Sequence, residues 1–332
     1  MLKKVTLILL CTFFCLAIAQ NVYSQAENPS DENKIQDNLK TEPEISFFSP
    51  GGLSEEINPF WTPEETTFKT VFRYSVLIGV PVGHLIYGRI VWKWGEQTDW
   101  RWADERWFQA DTDSGGADKV GHCFAHYMVS RISYSLFSYT EQSRSRALFF
   151  SAFNAALVGT MIEIGDAYTG KYGFSYEDLI ADYVGIAVAC LLDRYRVLDE
   201  FIGFTEYYSP SENYEGKKNR GYVNFAGDYS GAKWLLDFKL AGFKYLGFDI
   251  PEFMRYIQLD VGFYTRGYTN YDVQYNPKQY LFFGISVNMR EVAKDCFTSS
   301  KKASWLAEQP FKYFHVPIGY EKNKTINDED EE

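Results

Sequence analysis

The chain has 332 residues, 46% hydrophobic and 18% aromatic, with 33 Lys and Arg against 44 Asp and Glu and a formal charge of -11. That balance, with no basic block anywhere in the sequence, argues against a nucleic-acid partner, which would need a cationic surface to displace phosphate counterions. Lys3 and Lys4 precede the uncharged run Val5–Ala19, which closes in Ala17-Ile18-Ala19. This is the layout of a secretory signal peptide cleaved after Ala19, with cleavage after Ser24 as the alternative. The run of 15 residues is short for a membrane span. Cys11 and Cys15 follow Leu10 and Phe14, whereas lipid attachment wants a small residue before the cysteine. Cleavage takes away two positive charges and moves the formal charge from -11 to -13. Cys123, Cys190 and Cys296 remain, an odd set without zinc-ligand or redox spacing, so no disulfide framework is expected.

Residues 20–60 are rich in polar residues and predict a flexible linker. Residues 61–204 carry helical periodicity, with segments near 68–94, 118–140, 144–167 and 176–200. Tyr74–Gly88 and Ala147–Ile162 lack Asp, Glu, Lys and Arg, yet each is shorter than the roughly 18 to 20 residues of a span. Gly79 and Gly83 have the spacing that lets membrane helices approach, and Pro81 between them predicts a kink. A membrane-associated bundle and a soluble one with an apolar core both fit.

Within the helices, acids and histidines recur at one-turn spacing and share faces. Asp118, His122 and His126 form one row, Glu163 and Asp166 a second, Asp178 and Asp182 a third. Charges in apolar sequence need partners, so the three rows are expected to meet in one polar centre. Some members also have local explanations. Ser175 predicts an N-cap with Asp178 in the first turn, and Asp118 is an acid at a helix start. Asp166 opens a turn in which an Asp commonly bonds its own backbone, and Lys171 and Tyr172 in that turn are placed to close over the centre. Glu163 needs a partner from Lys119, His122 or Arg131. Asp182 lies one turn deeper, and Gly185 after it predicts a close helix crossing.

The order of Asp118, Lys119 and His122, then Glu163 and Asp166, then Phe174, Ser175, Asp178, Asp182 and Gly185 resembles the VanZ-like proteins. It is more similar still to the YfiM-like predicted periplasmic lipoproteins, a family of unknown function, over roughly residues 110–200. The resemblance implies a protein exported to the envelope of a Gram-negative-type bacterium, in the periplasm or on a membrane. It carries no biochemical activity with it.

Residues 205–322 change texture. Ile257, Leu259, Val261 and Phe263 alternate with Gln258, Asp260, Gly262 and Tyr264, and Phe283, Ile285, Val287 and Met289 with Gly284, Ser286 and Asn288. The period of two predicts half-buried antiparallel strands, with Trp234, Leu236, Phe238 and Leu240 as a third. Tyr264, Tyr268, Tyr271 and Tyr280 are expected to cover the exposed face or to contact lipid or glycan. Residues 323–332 predict a disordered acidic tail. The fold class is therefore α+β, an apolar four-helix bundle followed by a small antiparallel sheet.

Two function classes follow. One is a non-enzymatic envelope component whose rows of acids and histidines hold the helices in register. The other is a hydrolase of a lipid-linked or phosphate-containing envelope substrate. Its catalytic candidates are His122, Asp182 and Glu163, and a divalent metal would take His122, His126, Glu163 and Asp182. Asp118, Lys119, Asp166 and Asp178 complete the polar network. No serine or cysteine nucleophile motif, phosphate-binding glycine loop or HExxH accompanies them. Membrane lipid and envelope glycan are the partner chemistries that suit the chain, and no protein partner is legible.

Overall fold

The structure is a computed structural model that describes residues 58–97, 99–141, 143–211, 227–268 and 276–326. The expected signal segment, nearly all of the expected linker and the end of the acidic tail lie outside the described residues. Asn58, placed by sequence near the linker's end, is buried and donates to Ser138 Oγ at 2.7 Å.

The fold is α+β, with the helices preceding the sheet. Four long helices pack together: α1 (Thr67–Tyr87), α2 (Ala117–Thr140), α3 (Arg144–Asp166) and α4 (Tyr176–Arg194). Thr66, Ser143 and Ser175 cap α1, α3 and α4, each accepting from a backbone N–H three residues on. The close crossing predicted at Gly185 is present: a Cβ there would lie 1.9 Å from the backbone oxygen of Cys123, so α2 and α4 touch backbone to backbone. Gly79 and Gly83 behave otherwise. Nothing among the described residues lies within 4 Å of a Cβ at either, so no helix uses them for close approach.

α1 runs on through Pro81 to Tyr87 and continues as a π turn, Gly88–Trp92, which ends at Lys93 with φ 65°. With that turn it measures 26 residues, and α3 measures 23, so both are long and apolar enough to cross a membrane by length and composition. The uncharged runs understate these lengths because helical residues with charges extend them at both ends. The apolar window of α1 is only 17% buried, against 44% for α3, which packs between its neighbours. The helix expected to reach residue 200 breaks at Tyr195, and a short helix, α5 (Arg196–Phe201), follows.

Five antiparallel strands form one sheet in chain order: β1 (Ile202–Tyr208), β2 (Ala232–Lys239), β3 (Ile257–Arg266), β4 (Lys278–Val287) and β5 (Gly319–Thr325). β1 begins inside the stretch assigned to the helices, and β5 takes Asn323–Thr325 out of the expected disordered tail. Short helices α6 (Ala241–Tyr245), α7 (Met289–Cys296) and α8 (Lys301–Glu308) fill the connections. The chain ahead of β5 also bonds the far edge: Glu206 N donates to Tyr313 O and His315 N to Glu206 O, both at 2.8 Å. Residues 313–325 therefore strap β1 to β4 and close the sheet on itself.

The sides of the strands are not the ones alternation suggests. Phe204 and Trp234 pack against α2 at one end, but farther along the same face Leu259 and Ile285 are 43% and 54% exposed. The enclosed face carries Leu235, Tyr264 and Phe282 together with Asp237, Lys239, Gln258, Asp260 and Ser286. Tyr264 is thus interior, stacked on Tyr280 with ring centroids 4.7 Å apart, and does not cover an exposed face. Tyr268 donates to Ala110 O, and Tyr271 lies outside the described residues. The bundle covers only one end of the outer face, and the polar interior is tolerated because most of its groups find partners there.

A buried ion network binds bundle to sheet. Arg131 of α2 meets Asp193 of α4 at 3.0 Å and Asp199 of α5 at 2.7 Å, and Arg290 of α7 meets the other oxygen of Asp199 at 3.0 Å.

Candidate functional site

The three polar rows do converge where α2, α3 and α4 cross. Asp182 Oδ1 lies 3.0 Å from His122 Nδ1 and 2.6 Å from His126 Nδ1, so one carboxylate oxygen holds both imidazoles. His122 Nδ1 is 4.0 Å from Glu163 Oε1, and His122 Nε2 is 3.8 Å from Asp118 Oδ1. Lys119 ties the rim: its Nζ lies 2.5 Å from Asp178, 2.7 Å from Asp118 and 2.5 Å from Glu105.

Several local expectations are corrected by this geometry. Ser175 is the N-cap of α4, but its own N–H donates to Glu163 Oε2 at 2.9 Å, the bond a capping-box acid would accept. Asp178 lies in the first turn as expected and gives its backbone N–H to the cap, while its carboxylate, freed from the Ser175 N–H, meets Lys119. Asp118 likewise bonds Lys119 and the hydroxyl of Tyr229, while Ser114 Oγ accepts from its backbone N–H. Glu163 is served by His122 and the Ser175 N–H, since Lys119 and Arg131 are engaged elsewhere. The Asp166 carboxylate accepts from the indole N–H of Trp94 at 2.7 Å, and within its own turn only its backbone carbonyl accepts, from Thr169. Lys171 donates to Tyr172, and the pair forms no part of the centre's bonds. No sequence pattern marks Glu105, Tyr229 and Trp94 as members of the centre. They come from loops and from the β region, where no helical spacing points to them.

The centre is nearly sealed. Asp182 is 0%, Glu163 1% and His126 2% exposed, and the half-buried members, His122, Asp118, Asp166 and Glu105, lie at the rim. A groove of about 630 Å³ runs past the other side of Trp94, lined by Leu85, Met161, Ile164 and Tyr168 with Arg89 beside them. Three buried atoms of the centre, His126 Nε2, Glu163 Oε1 and Asp182 Oδ2, have no hydrogen-bond partner among the described residues. Two of them flank Gly159, where a Cβ would lie 2.7 Å from Asp182 Oδ2 and 3.0 Å from His126 Nε2.

Charge states follow from burial and neighbours. Burial opposes a charged His122, but Asp178, Asp182 and Asp118 outweigh it and hold the imidazole protonated well above its usual range. Burial would raise Asp182, yet His126 and His122 hold it below the usual carboxylate range. Burial raises Glu163 despite His122. It also pushes Asp166 up to about 7 and, at the edge of the sheet, Glu206 up to about 7. Such groups keep protons in the folded chain that the unfolded chain has released, so stability falls as pH rises from about 4 to about 7. His315 and Lys239, which burial lowers, work against this, as do the depressed carboxylates Asp182, Asp199 and Glu200 at the acid end of the range. The unfolding midpoint is therefore expected to be higher at pH 5 than at pH 7. Asp166→Asn should make the decline shallower by up to about 1.4 kcal/mol per pH unit. Calorimetry at several pH values checks this, and a midpoint that climbs with pH contradicts it.

Comparison with curated proteins and with solved structures yields no match to this chain. A family described as periplasmic by prediction supports an exported, envelope location. The stretch that supplies every helix of the polar centre, residues 104–194, matches the model of that family, the predicted periplasmic lipoproteins of unknown function (DUF2279).

Proposed function

We propose that this chain is a membrane-associated structural or binding component of a Gram-negative-type envelope, whose Asp/His/Glu centre holds α2, α3 and α4 in register. The supporting observation is that the centre's charges are answered by one another across three helices and two loops, in a space almost closed to solvent. A hydrolase would need an opening for substrate at Asp182 and Glu163. The YfiM-like and, more distantly, VanZ-like resemblance of the same rows agrees with an envelope role.

Lipid is the partner that the outer surface favours. Phe68, Val71, Ile78 and Leu85 project from α1 at helical spacing, 63%, 58%, 61% and 51% exposed. Monomeric soluble proteins rarely expose so continuous an apolar stripe. The full chain is expected to float with phosphatidylethanolamine–phosphatidylglycerol vesicles. Ile78→Asp combined with Leu85→Asp should weaken that binding by roughly tenfold or more. Wild-type protein that stays at the bottom of the gradient refutes membrane association.

A second reading, a metal-dependent or His/Asp-based hydrolase, is favoured by the three orphaned atoms of the centre, two of which flank Gly159. His122, His126 and Asp182 bring ligand atoms within 4.8 Å of one another, with Glu163 Oε1 4.0 Å from His122 Nδ1, and these are the nitrogen and oxygen ligands that zinc or a similar divalent ion takes. Protein purified without chelator would then carry stoichiometric metal, lost in His126→Ala. Metal-free protein with an unchanged unfolding midpoint would sink this reading.

A further inference from the structure

A second polar cluster lies inside the closed sheet, remote in sequence from the bundle's rows. Asp237 and Asp260 stand directly opposite each other on β2 and β3, and both are buried. Like charges in that position repel unless a proton or a cation lies between them. The row they belong to runs Gly203, Asp237, Asp260, Gly284 across four strands, so no side chain crowds the two acids from within the row.

The outer oxygens are fixed by hydroxyls. Thr205 Oγ1 donates to Asp237 Oδ2 at 2.8 Å and Ser286 Oγ to Asp260 Oδ2 at 2.5 Å. The inner oxygens are turned towards His315 on the strap. Asp237 Oδ1 lies 4.0 Å from His315 Nδ1 and has no hydrogen-bond partner among the described residues, although the residue is 97% buried. Asp260 Oδ1 accepts from Gln258 Nε2 at 3.0 Å, and that amide lies 3.5 Å from His315 Nδ1. One ligand atom from each of Asp237, Asp260 and His315 falls within 4.8 Å of the others. Lys239, the nearest buried cation, is committed to the backbone oxygens of Asp199 and Ile202.

We infer that the sheet interior is a site for a divalent transition metal, with Asp237, Asp260 and His315 as ligands. Two carboxylates and one imidazole suit zinc, and carboxylates oriented by outer hydroxyls are the usual second layer of such sites. Because His315 sits on the strap, the ion would join the strap to β2 and β3.

Zinc titration of chelator-stripped full-length chain tests the inference, read by bound stoichiometry and by the unfolding midpoint. Zinc should raise the midpoint of wild type, and Asp237→Asn and His315→Gln should each abolish binding of one ion. Ser286→Ala should weaken that ion by about 10- to 100-fold. His126→Ala, in the bundle centre, should leave it in place, which separates this site from the other candidate. Asp237→Asn relieves the carboxylate pair, so its metal-free midpoint should equal or exceed that of wild type, and loss of metal there is not loss of fold. Cobalt in place of zinc should give a visible spectrum of mixed nitrogen and oxygen ligation that His315→Gln removes. Zinc binding unchanged in both Asp237→Asn and His315→Gln overturns the inference. So does a wild-type chain that takes up no zinc, in which case the pair simply shares a proton.

Discussion

Asp182→Ala is expected to lower the stability of the folded chain by about 3 to 5 kcal/mol, the cost of removing one partner from a buried ion pair. Its Oδ1 is the common acceptor for His122 and His126, and the site is fully buried, so no water from bulk can take its place. Asp182→Asn should cost less. The amide keeps an oxygen for the two imidazoles, and its nitrogen falls beside the orphaned Nε2 of His126. The asparagine variant nevertheless loses the charge, so the His122 imidazole should titrate at lower pH in NMR. Denaturant melts and the His122 titration together decide between roles. A variant with wild-type stability and an undisturbed His122 would mean that Asp182 does not hold the helices.

Arg131→Met should be comparably damaging, again by about 3 to 5 kcal/mol, because it leaves Asp193 and one oxygen of Asp199 buried without their cation. Methionine conserves the stem that packs in the bundle, so the effect isolates the charge. Arg131 joins α2 to α4 and α5, and Asp199 passes the link to Arg290 on α7. The loss should therefore fall on the junction of bundle and sheet. Urea unfolding followed separately by far-ultraviolet circular dichroism and by tryptophan fluorescence is expected to split into two transitions. A single, unshifted transition would show that the junction does not depend on this arginine.

Much of the bundle is legible in the residues. Helical spacing places Asp118, His122 and His126 on one face, and Gly185 marks the crossing that brings Asp182 to them. The long-range partners are not legible, because Glu105, Trp94 and Tyr229 reach the centre from segments whose position only the packed chain determines. Local rules also misassign real members of the site. Asp178 has the position of a capping acid, and only the arrival of Glu163 at the Ser175 N–H releases it for Lys119. In the sheet, alternation gives two faces but not their sides. Leu259 and Ile285 are apolar and outside, Asp260 and Ser286 polar and inside, because the strap encloses one face and the bundle reaches only part of the other.

That strap sets an order of assembly. α2, α3 and α4 are consecutive in the chain and can find one another as soon as they emerge. β1, in contrast, is made long before the residues at 313–315 that complete its outer edge. Until those residues arrive, β1 presents an unpaired edge to any neighbouring strand. An exported chain that pauses or is clipped before them would be left with a folded bundle and an open sheet, the state most prone to pair with another copy.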